Sequence, residues 1–522
     1  MARLCAGLER FACVLCIGCN SAPSAAPSAS SASASSEQPS MQAEAAEGMR
    51  LFWDRRDPAN ATRAVELLRE VCAAENQEGC AGLGLATYRG QGLPKDEARG
   101  YAQLESACEA GAQLGCAGLG EALQDGRVVA RDYKRAIELL DQACSSGVAL
   151  GCRMLGWSYG NGLGVAKDEK RYVELSEKAC AGDDAVGCIN LGHAHAEGMG
   201  VPRDAARALQ YFQRGCDSGY WQACTGVALA YETGAGVERD SNAAFELFEA
   251  SCSANEAGAC AHLGLAYMDG KGVAKDQVRG AARLEKACDL GFVPACSSIG
   301  MAYQRALGVP KDLGRAAALF KRGCDGDAVD ACTYLGIAYR FGDGVGRDDK
   351  LACELFDKAC SAGNMLACAY LGGAYALGAG VPKNDERAVE LMQRACDGQA
   401  WIACVALGGY YSSGRGVVKD DQRATELARL ACDHGEWLGC SNLGAAYGTG
   451  AGVPKDEKRA VSLYQSACDA GLAPACHNLA IHYLEGRGVP IDRTRATELF
   501  RKAAKGGDAR SLAALKALKV EP

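Results

Sequence analysis

Two apolar stripes of helical spacing recur in every stretch of thirty-six residues from about residue 42 onward. In the first stripe a leucine precedes an aromatic residue, as at Leu319 and Phe320, with Ala or Gly three places before the leucine and three after the aromatic residue. In the second, a Leu-Gly pair such as Leu335-Gly336 is followed three residues later by a tyrosine, here Tyr339. Because these offsets fall on one side of a helix, the pattern predicts two helices in each repeat, each with one buried face.

Cysteines make the period of these helix pairs visible. The first cysteines of twelve pairs lie at Cys72, Cys108, Cys144, Cys180, Cys216, Cys252, Cys288, Cys324, Cys360, Cys396, Cys432 and Cys468. The second cysteines follow eight residues later, at Cys80, Cys116, Cys152, Cys188, Cys224, Cys260, Cys296, Cys332, Cys368, Cys404, Cys440 and Cys476. A fixed period of this length is typical of solenoids, whose units must stack to bury their apolar faces. The sequence therefore predicts an all-α fold, a right-handed α/α superhelix of 36-residue helix pairs, with twelve cysteine-paired repeats and capping half-repeats over residues 42–522.

The spacing within each pair predicts a disulfide. The first cysteine closes one helix and the second lies in the opening turn of the next, preceded in every repeat by Gly or Ala, which leaves room for the close contact. Zinc is the alternative, but Cys-x7-Cys supplies only two ligands and no regular histidine completes the set. Twelve disulfides would require an oxidising compartment. Cys353 stands apart, in a register held elsewhere by Ile137, Val173 and Val389, and is predicted to be a small buried hydrophobe.

The glycine-rich loop of each repeat invites comparison with a phosphate-binding turn. It reads GLGVAKD from Gly162 and GKGVAKD from Gly270, and close variants occur in nearly every repeat. Because it recurs along the whole array, we interpret its first glycine as a left-handed helix end and its aspartate as the cap of the next helix. The Gly, Asn or Asp three residues after most of the first cysteines, such as Gly147 and Asp183, is interpreted as a helix stop in the same way.

The first forty residues differ from the repeats. An apolar run from Phe11 to Gly18, too short to cross a membrane, ends in Leu-Cys-Ile-Gly-Cys. This ending resembles the lipobox of bacterial lipoproteins, with Cys19 as the acylated residue; the alternative is an ordinary signal peptide cleaved near Ala22 or Ala26. We predict a signal peptide at 1–19 and a disordered tether rich in Ser, Ala and Pro at 20–41. The protein would then be exported to the bacterial cell envelope, periplasmic or lipid-anchored at the outer membrane, or secreted.

The repeat pattern A-C-x7-C-x2-L-G-x2-Y-x2-G-x-G-V-x-K-D-x2-R-A resembles that of Sel-1-like repeat (SLR) proteins. With its paired cysteines the chain is similar to the Hcp-type secreted cysteine-rich repeat proteins of bacteria, over roughly residues 42–519. The ends depart as solenoid caps do: Gly48, Asn60 and Ala64 keep the register without cysteines, and Ala504 and Leu512 replace the last pair. The resemblance implies a tetratricopeptide-like scaffold that binds proteins or peptides. It also implies the alternative of β-lactam or peptidoglycan-fragment binding with weak β-lactamase activity.

The residues themselves favour binding over chemistry. The chain has 56 basic and 64 acidic residues and a net charge of -8, with no basic stripe to follow phosphates, which argues against a nucleic-acid partner. It contains no Ser-x-x-Lys, Lys-Thr-Gly or Ser-Asp-Asn motif. His193 and His195 point to different sides of one helix, and the other histidines lie in other repeats. We therefore expect no catalytic residue, no metal site and no cofactor.

A binding face is predicted from positions that vary while the core registers do not. Residues two, five and nine beyond each second cysteine lie opposite the buried stripe. Several are apolar or aromatic, namely Met154, Trp157, Tyr334, Ile337, Phe341, Tyr370 and Leu377. We select Tyr334, Phe341, Tyr370 and Trp157 as candidate partner-binding residues. The alternative is that the middle register, with Leu229, Leu265, Met301 and Ile337, is partly covered by the next repeat.

These features together predict the role of the chain. We expect a monomeric scaffold that binds a protein, a peptide or cell-wall fragments and touches membranes only through its lipid anchor. A passive envelope spacer with no saturable binding is the third hypothesis.

Overall fold

A computed structural model describes residues 41–57 and 59–520, so the predicted signal peptide, Cys19 and all of the tether but Met41 lie outside the described residues. These residues form twenty-seven α-helices. The odd-numbered helices are α1 (Met41–Trp53), α3 (Gln77–Arg89), α5 (Gln113–Asp125), α7 (Ala149–Asn161), α9 (Ala185–Glu197), α11 (Trp221–Thr233), α13 (Ala257–Asp269), α15 (Val293–Arg305), α17 (Val329–Phe341), α19 (Met365–Leu377), α21 (Trp401–Ser413), α23 (Trp437–Thr449), α25 (Ala473–Glu485) and α27 (Ala509–Ala517). The even-numbered helices are α2 (Ala59–Ala73), α4 (Glu97–Glu109), α6 (Tyr133–Ser145), α8 (Glu169–Ala181), α10 (Ala205–Asp217), α12 (Ser241–Ser253), α14 (Gln277–Asp289), α16 (Leu313–Asp325), α18 (Asp349–Ser361), α20 (Asp385–Asp397), α22 (Asp421–Asp433), α24 (Glu457–Asp469) and α26 (Arg493–Lys505). The predicted all-α solenoid of 36-residue helix pairs is confirmed.

Caps at both ends of the helices explain why the repeat begins and stops where it does. The first loop glycine ends the odd-numbered helices from α3 to α25 in the left-handed region, as Gly162 does with φ 69°, except that Ala306 takes this place after α15. The loop aspartate caps the next helix, and Asp168 accepts a hydrogen bond from the Arg171 N–H. After the first cysteine, Gly147 and Asp183 also have positive φ, 87° and 61°. The loops therefore end one helix and begin the next, as their repetition predicted.

A disulfide joins the two cysteines of each repeat, from Cys72–Cys80 to Cys468–Cys476. Each bridges the last turn of an even-numbered helix and the first turn of the following odd-numbered helix. Cys353 is buried and unpaired, and its Sγ contacts the Ala379 carbonyl oxygen at 3.2 Å. Thr425, two repeats later in the same register, donates an equivalent hydrogen bond to Ala451 at 2.9 Å. Cys353 therefore packs as a core residue and also fastens the glycine loop.

The core lies between helices and is tightest where glycine faces an aromatic ring. A Cβ on Gly336 would lie 2.6 Å from the Phe356 ring, and one on Gly300 would lie 2.6 Å from the Phe320 ring. These distances are below van der Waals contact, so only glycine fits beside the phenylalanine. The Leu-Gly pair read from the sequence is therefore a packing device.

Cations fix the register between repeats. Arg322 donates to the Cys288 carbonyl oxygen at 2.7 Å, and Arg394 to that of Cys360 at 2.9 Å. In each case a side chain near the end of one even-numbered helix caps the carbonyl end of the preceding one. Leu430 occupies this position in α22 and is exposed, so the cap is missing at that step.

Candidate functional site

The open face of the array is formed by the odd-numbered helices. Successive odd-numbered helices approach each other directly, as α3 does α5 and α15 does α17, which places them on the inner side of the curve. In the candidate registers of this face four large apolar side chains are exposed: Trp157 by 48%, Leu265 by 43%, Phe341 by 63% and Leu377 by 72%. We call Leu265, Phe341 and Leu377, with the half-buried Ile337, Tyr334 and Tyr370, the apolar strip. It spans α13, α17 and α19.

Tyr334 and Tyr370 are less open than the sequence pattern suggested. The Tyr334 ring lies 5.3 Å from the Phe320 ring, and the Tyr370 ring lies 5.3 Å from the Phe356 ring. Burial raises the pKa of Tyr334, and the Asp330 carboxylate adds to this. Both tyrosines thus cover the phenylalanine of the preceding even-numbered helix and present only an outer edge. Phe341 and Leu377 present most of their surface.

Trp157 is separated from the other candidates. It is 48% exposed on α7, five repeats before α17, beside the half-buried Met154. The structure brings Tyr334 and Phe341 together on α17 with Tyr370 on the neighbouring α19. In the middle register Leu229, Met301 and Ile337 are half-buried and Leu265 is exposed.

The inner face of the first repeats is closed by the chain itself. The Arg89 guanidinium lies 5.0 Å from the Trp53 ring and pairs with Glu121. Arg55 lies 5.8 Å from the Tyr220 ring, which links the end of α1 to the turn before α11. A cavity of about 550 Å³ remains between α1 and the turns of the third to fifth repeats. The sequence carries no periodic signal for this contact, because α1 lies outside the cysteine-marked repeats.

A smaller cavity of about 390 Å³ opens between α21 and α23. It is lined mainly by Gly, Ala, Ser and Thr residues, with Ala428 among them. The sequence analysis missed this site. The signal that could have found it is Ala428, which interrupts a register of large side chains.

Histidines and carboxylates of the described residues serve packing and caps. His193 packs edge-on against Phe212 with ring centroids 5.1 Å apart, and burial lowers its pKa. Within residues 41–57 and 59–520, no group of three or more His, Cys, Asp or Glu side chains could hold a metal ion. In the same residues, no helix has both the length and the apolar character that crossing a membrane requires.

Comparison with known proteins matches the repeat geometry. The Sel1 repeat family model matches residues 77–111, 113–148, 149–184, 185–220, 221–256, 257–292, 293–327, 329–364, 366–399, 401–436, 437–472 and 473–508. No curated protein matches the chain.

Solved structures resemble the chain at the level of the fold. One is c5321, a protective antigen of uropathogenic Escherichia coli strains displaying an SLR fold, with 23% identity, 88% of this chain and 98% of that chain covered, and a TM-score of 0.55. Another is a Sel1 repeat protein from Oxalobacter formigenes, with 26% identity and a TM-score of 0.44. The match covers 59% of this chain and 90% of that chain. The first shares the fold along most of its length.

Proposed function

This chain belongs to the Sel1 repeat family, and on that premise we propose that it is an exported, non-catalytic scaffold that binds a protein or peptide along its odd-numbered helices. The observation that carries the proposal is the apolar strip, where Phe341 and Leu377 are 63% and 72% exposed on neighbouring repeats. Two large apolar side chains at one register, one repeat apart, suit an extended or helical partner that lies along the array.

The exposed side chains of the apolar strip can contribute binding free energy when a partner buries them. Complete burial of a Phe or Leu side chain contributes about 1.5–3 kcal/mol relative to exposure. Phe341 and Leu377 retain most of that surface for a partner, whereas Tyr334 and Tyr370 have already buried most of theirs. The energetic centre of the face is therefore Phe341 and Leu377, with the tyrosines as a supporting rim.

Export is supported by the disulfides. Twelve bridges suit an oxidising extracellular or periplasmic environment. We propose further that the signal peptide at 1–19 is removed and that Cys19 carries the lipid, with the tether at 20–41 holding the array away from the membrane. Mass spectrometry of the exported protein tests this, since an acylated Cys19 at the N-terminus is expected and an unmodified N-terminus near Ala22 or Ala26 would contradict it.

Capture by crosslinking tests the binding face. The full chain, exported with its own leader, is compared with a variant carrying Phe341→Ser and Leu377→Ser. The matched control is Val418→Ser, which removes an apolar side chain that is 86% exposed in a loop outside the strip. A protein captured by the full chain and the control but lost with the double variant is the expected result. Equal capture by all three would contradict the proposal.

A further inference from the structure

The even-numbered helices carry a large side chain four residues before the first cysteine of each pair. The residues at this position are Leu68, Leu104, Leu140, Phe212, Phe248, Leu284, Phe320, Phe356, Met392 and Tyr464. This side chain fills the space between its own helix and the flanking odd-numbered helices, and Phe248, Phe320 and Phe356 are almost completely buried. Two repeats break the rule, with Ser176 in α8 and Ala428 in α22.

The break at Ser176 is compensated within its own helix. Tyr172, four residues earlier, is buried where every other repeat has Ala or Gly. A Cβ on Gly160 would lie 3.1 Å from the Tyr172 ring, so this ring packs into the neighbouring odd-numbered helix. In α22 the residue equivalent to Tyr172 is Ala424, so nothing in α22 replaces the missing side chain.

Beside Ala428, the space that a phenylalanine ring fills in other repeats remains open. A Cβ on Gly336 or on Gly300 would lie 2.6 Å from a phenylalanine ring carbon. A Cβ on the equivalent Gly408 would have the Ala424 carbonyl oxygen as its nearest atom, at 3.2 Å. The cavity of about 390 Å³ lies here.

The mouth of the cavity lies on the proposed binding face. Asn442, Ala445 and Thr449 line it from α23 in the registers two, five and nine beyond the second cysteine, the registers that carry the apolar strip on α17 and α19. Ser412 lines it from α21. Most of the wall residues are small and apolar, although Asp421 and Thr425 also line the cavity, and the mouth carries an amide and two hydroxyls that can bond a peptide backbone. This combination suits a flat apolar ring attached to a peptide.

We propose that the cavity between α21, α22 and α23 binds an aromatic side chain of the partner protein, which takes the place that the Phe356 ring occupies two repeats earlier. The proposal rests on the proposed function, because the same partner segment would lie along α17 and α19 and continue to α21. The site assigns a chemistry to the partner: a Phe- or Tyr-bearing segment, with its ring inserted into the solenoid.

Ligand-detected fluorine NMR on the full chain tests the site with the probe N-acetyl-4-fluorophenylalanine methylamide. We expect a Kd of about 1 mM, in line with the affinity per atom of small ligands. Ala428→Phe supplies the side chain that Phe320 and Phe356 provide at the equivalent position, so the melting temperature should rise while probe affinity falls at least about tenfold. Val418→Ser, which alters an exposed loop residue outside the cavity, is the control and should leave both the melting temperature and the probe affinity unchanged.

A second variant keeps the proposal testable if Ala428→Phe does not fold. Ala445→Leu narrows the mouth from the exposed side of α23 and should also weaken probe binding. Probe affinity that is unchanged in both Ala428→Phe and Ala445→Leu would overturn the proposal, as would absence of probe binding to the unaltered chain.

Capture separates this proposal from the one on which it rests. Partner capture that is lost with the Phe341/Leu377 variant but fully retained with Ala428→Phe would overturn the aromatic site and leave the scaffold function standing. Loss of capture with Ala428→Phe, together with loss of probe binding, is the result we expect.

Discussion

The Tyr370 ring is stacked on the Phe356 ring, with centroids 5.3 Å apart and planes inclined by 13°. The two residues belong to consecutive helices, α19 and α18, and Tyr334 covers Phe320 in the same way one repeat earlier. The tyrosine of the proposed binding face thus also covers the core phenylalanine. A substitution of Tyr370 would therefore alter stability as well as the proposed face, whereas a substitution of Phe341, which is 63% exposed, would alter mainly the proposed face.

The coupling predicts different costs for two alanine substitutions on the face. Tyr370→Ala should reduce the free energy of unfolding by about 1–2 kcal/mol, because it removes half-buried area and an aromatic pair. Phe341→Ala should change it by less than about 0.5 kcal/mol, since an exposed side chain loses little on truncation. Urea denaturation followed by circular dichroism measures both, and equal losses would show that Phe341 is packed.

Removing one disulfide should loosen the array locally. With Cys360→Ala and Cys368→Ala together, the chain-entropy estimate for so short a closed loop is a loss of about 2.5 kcal/mol. Because each repeat contacts mainly its neighbours, the effect should be confined to helices around α18 and α19. Hydrogen exchange measures it: amides there should exchange faster while those of α6 and α7 are unchanged. Uniformly faster exchange along the chain would contradict a local role.

Ala306 takes the left-handed conformation, with φ 58°, at the helix end where Gly270 and Gly342 stand in the adjacent repeats. Ala306→Gly should raise the free energy of unfolding by about 0.5 kcal/mol, since relief of the Cβ clash outweighs the greater chain entropy of glycine. The reverse change, Gly342→Ala, should lower it. Thermal melting of both variants checks the signs, and a lower melting temperature for Ala306→Gly would show that the strain is absent.

Burial of His262 should make the stability of the folded chain depend on pH. Its ring is stacked on Phe248 at 5.1 Å, and burial lowers its pKa below 6.5 despite the opposing effect of Glu232 and Glu256. The unfolded chain therefore binds the proton more readily, so this contribution to stability is present above about pH 6.5 and decreases as the pH falls below it.

His262→Tyr supplies the comparison, because Tyr334 and Tyr370 occupy the same register on α17 and α19. The melting temperature of the unaltered chain should drop more between pH 7.5 and pH 5 than that of the variant. Equal drops would show that His262 does not contribute.

Much of the fold could be predicted because its determinants are local. The helix ends at Gly162 and Asp168 follow from residues a few positions apart, and the bridge Cys360–Cys368 spans eight residues. The exposure of the candidate face was harder to predict from the sequence, since Tyr370 and Leu377 lie on one helix yet differ greatly in burial. A register indicates which side of a helix faces inward, but the neighbouring repeat sets how much surface remains.

The sequence by itself determined the period, the helix pairs, the caps and the disulfide partners, because each depends on contacts within one repeat or with the next. Only the tertiary structure decided that α1 closes the first inner face through Trp53 and Arg89, and that Tyr172 fills the place left by Ser176 while Ala428 leaves a cavity. These outcomes depend on side-chain volumes summed over three helices and on contacts between distant repeats. A pattern read along one chain carries neither quantity.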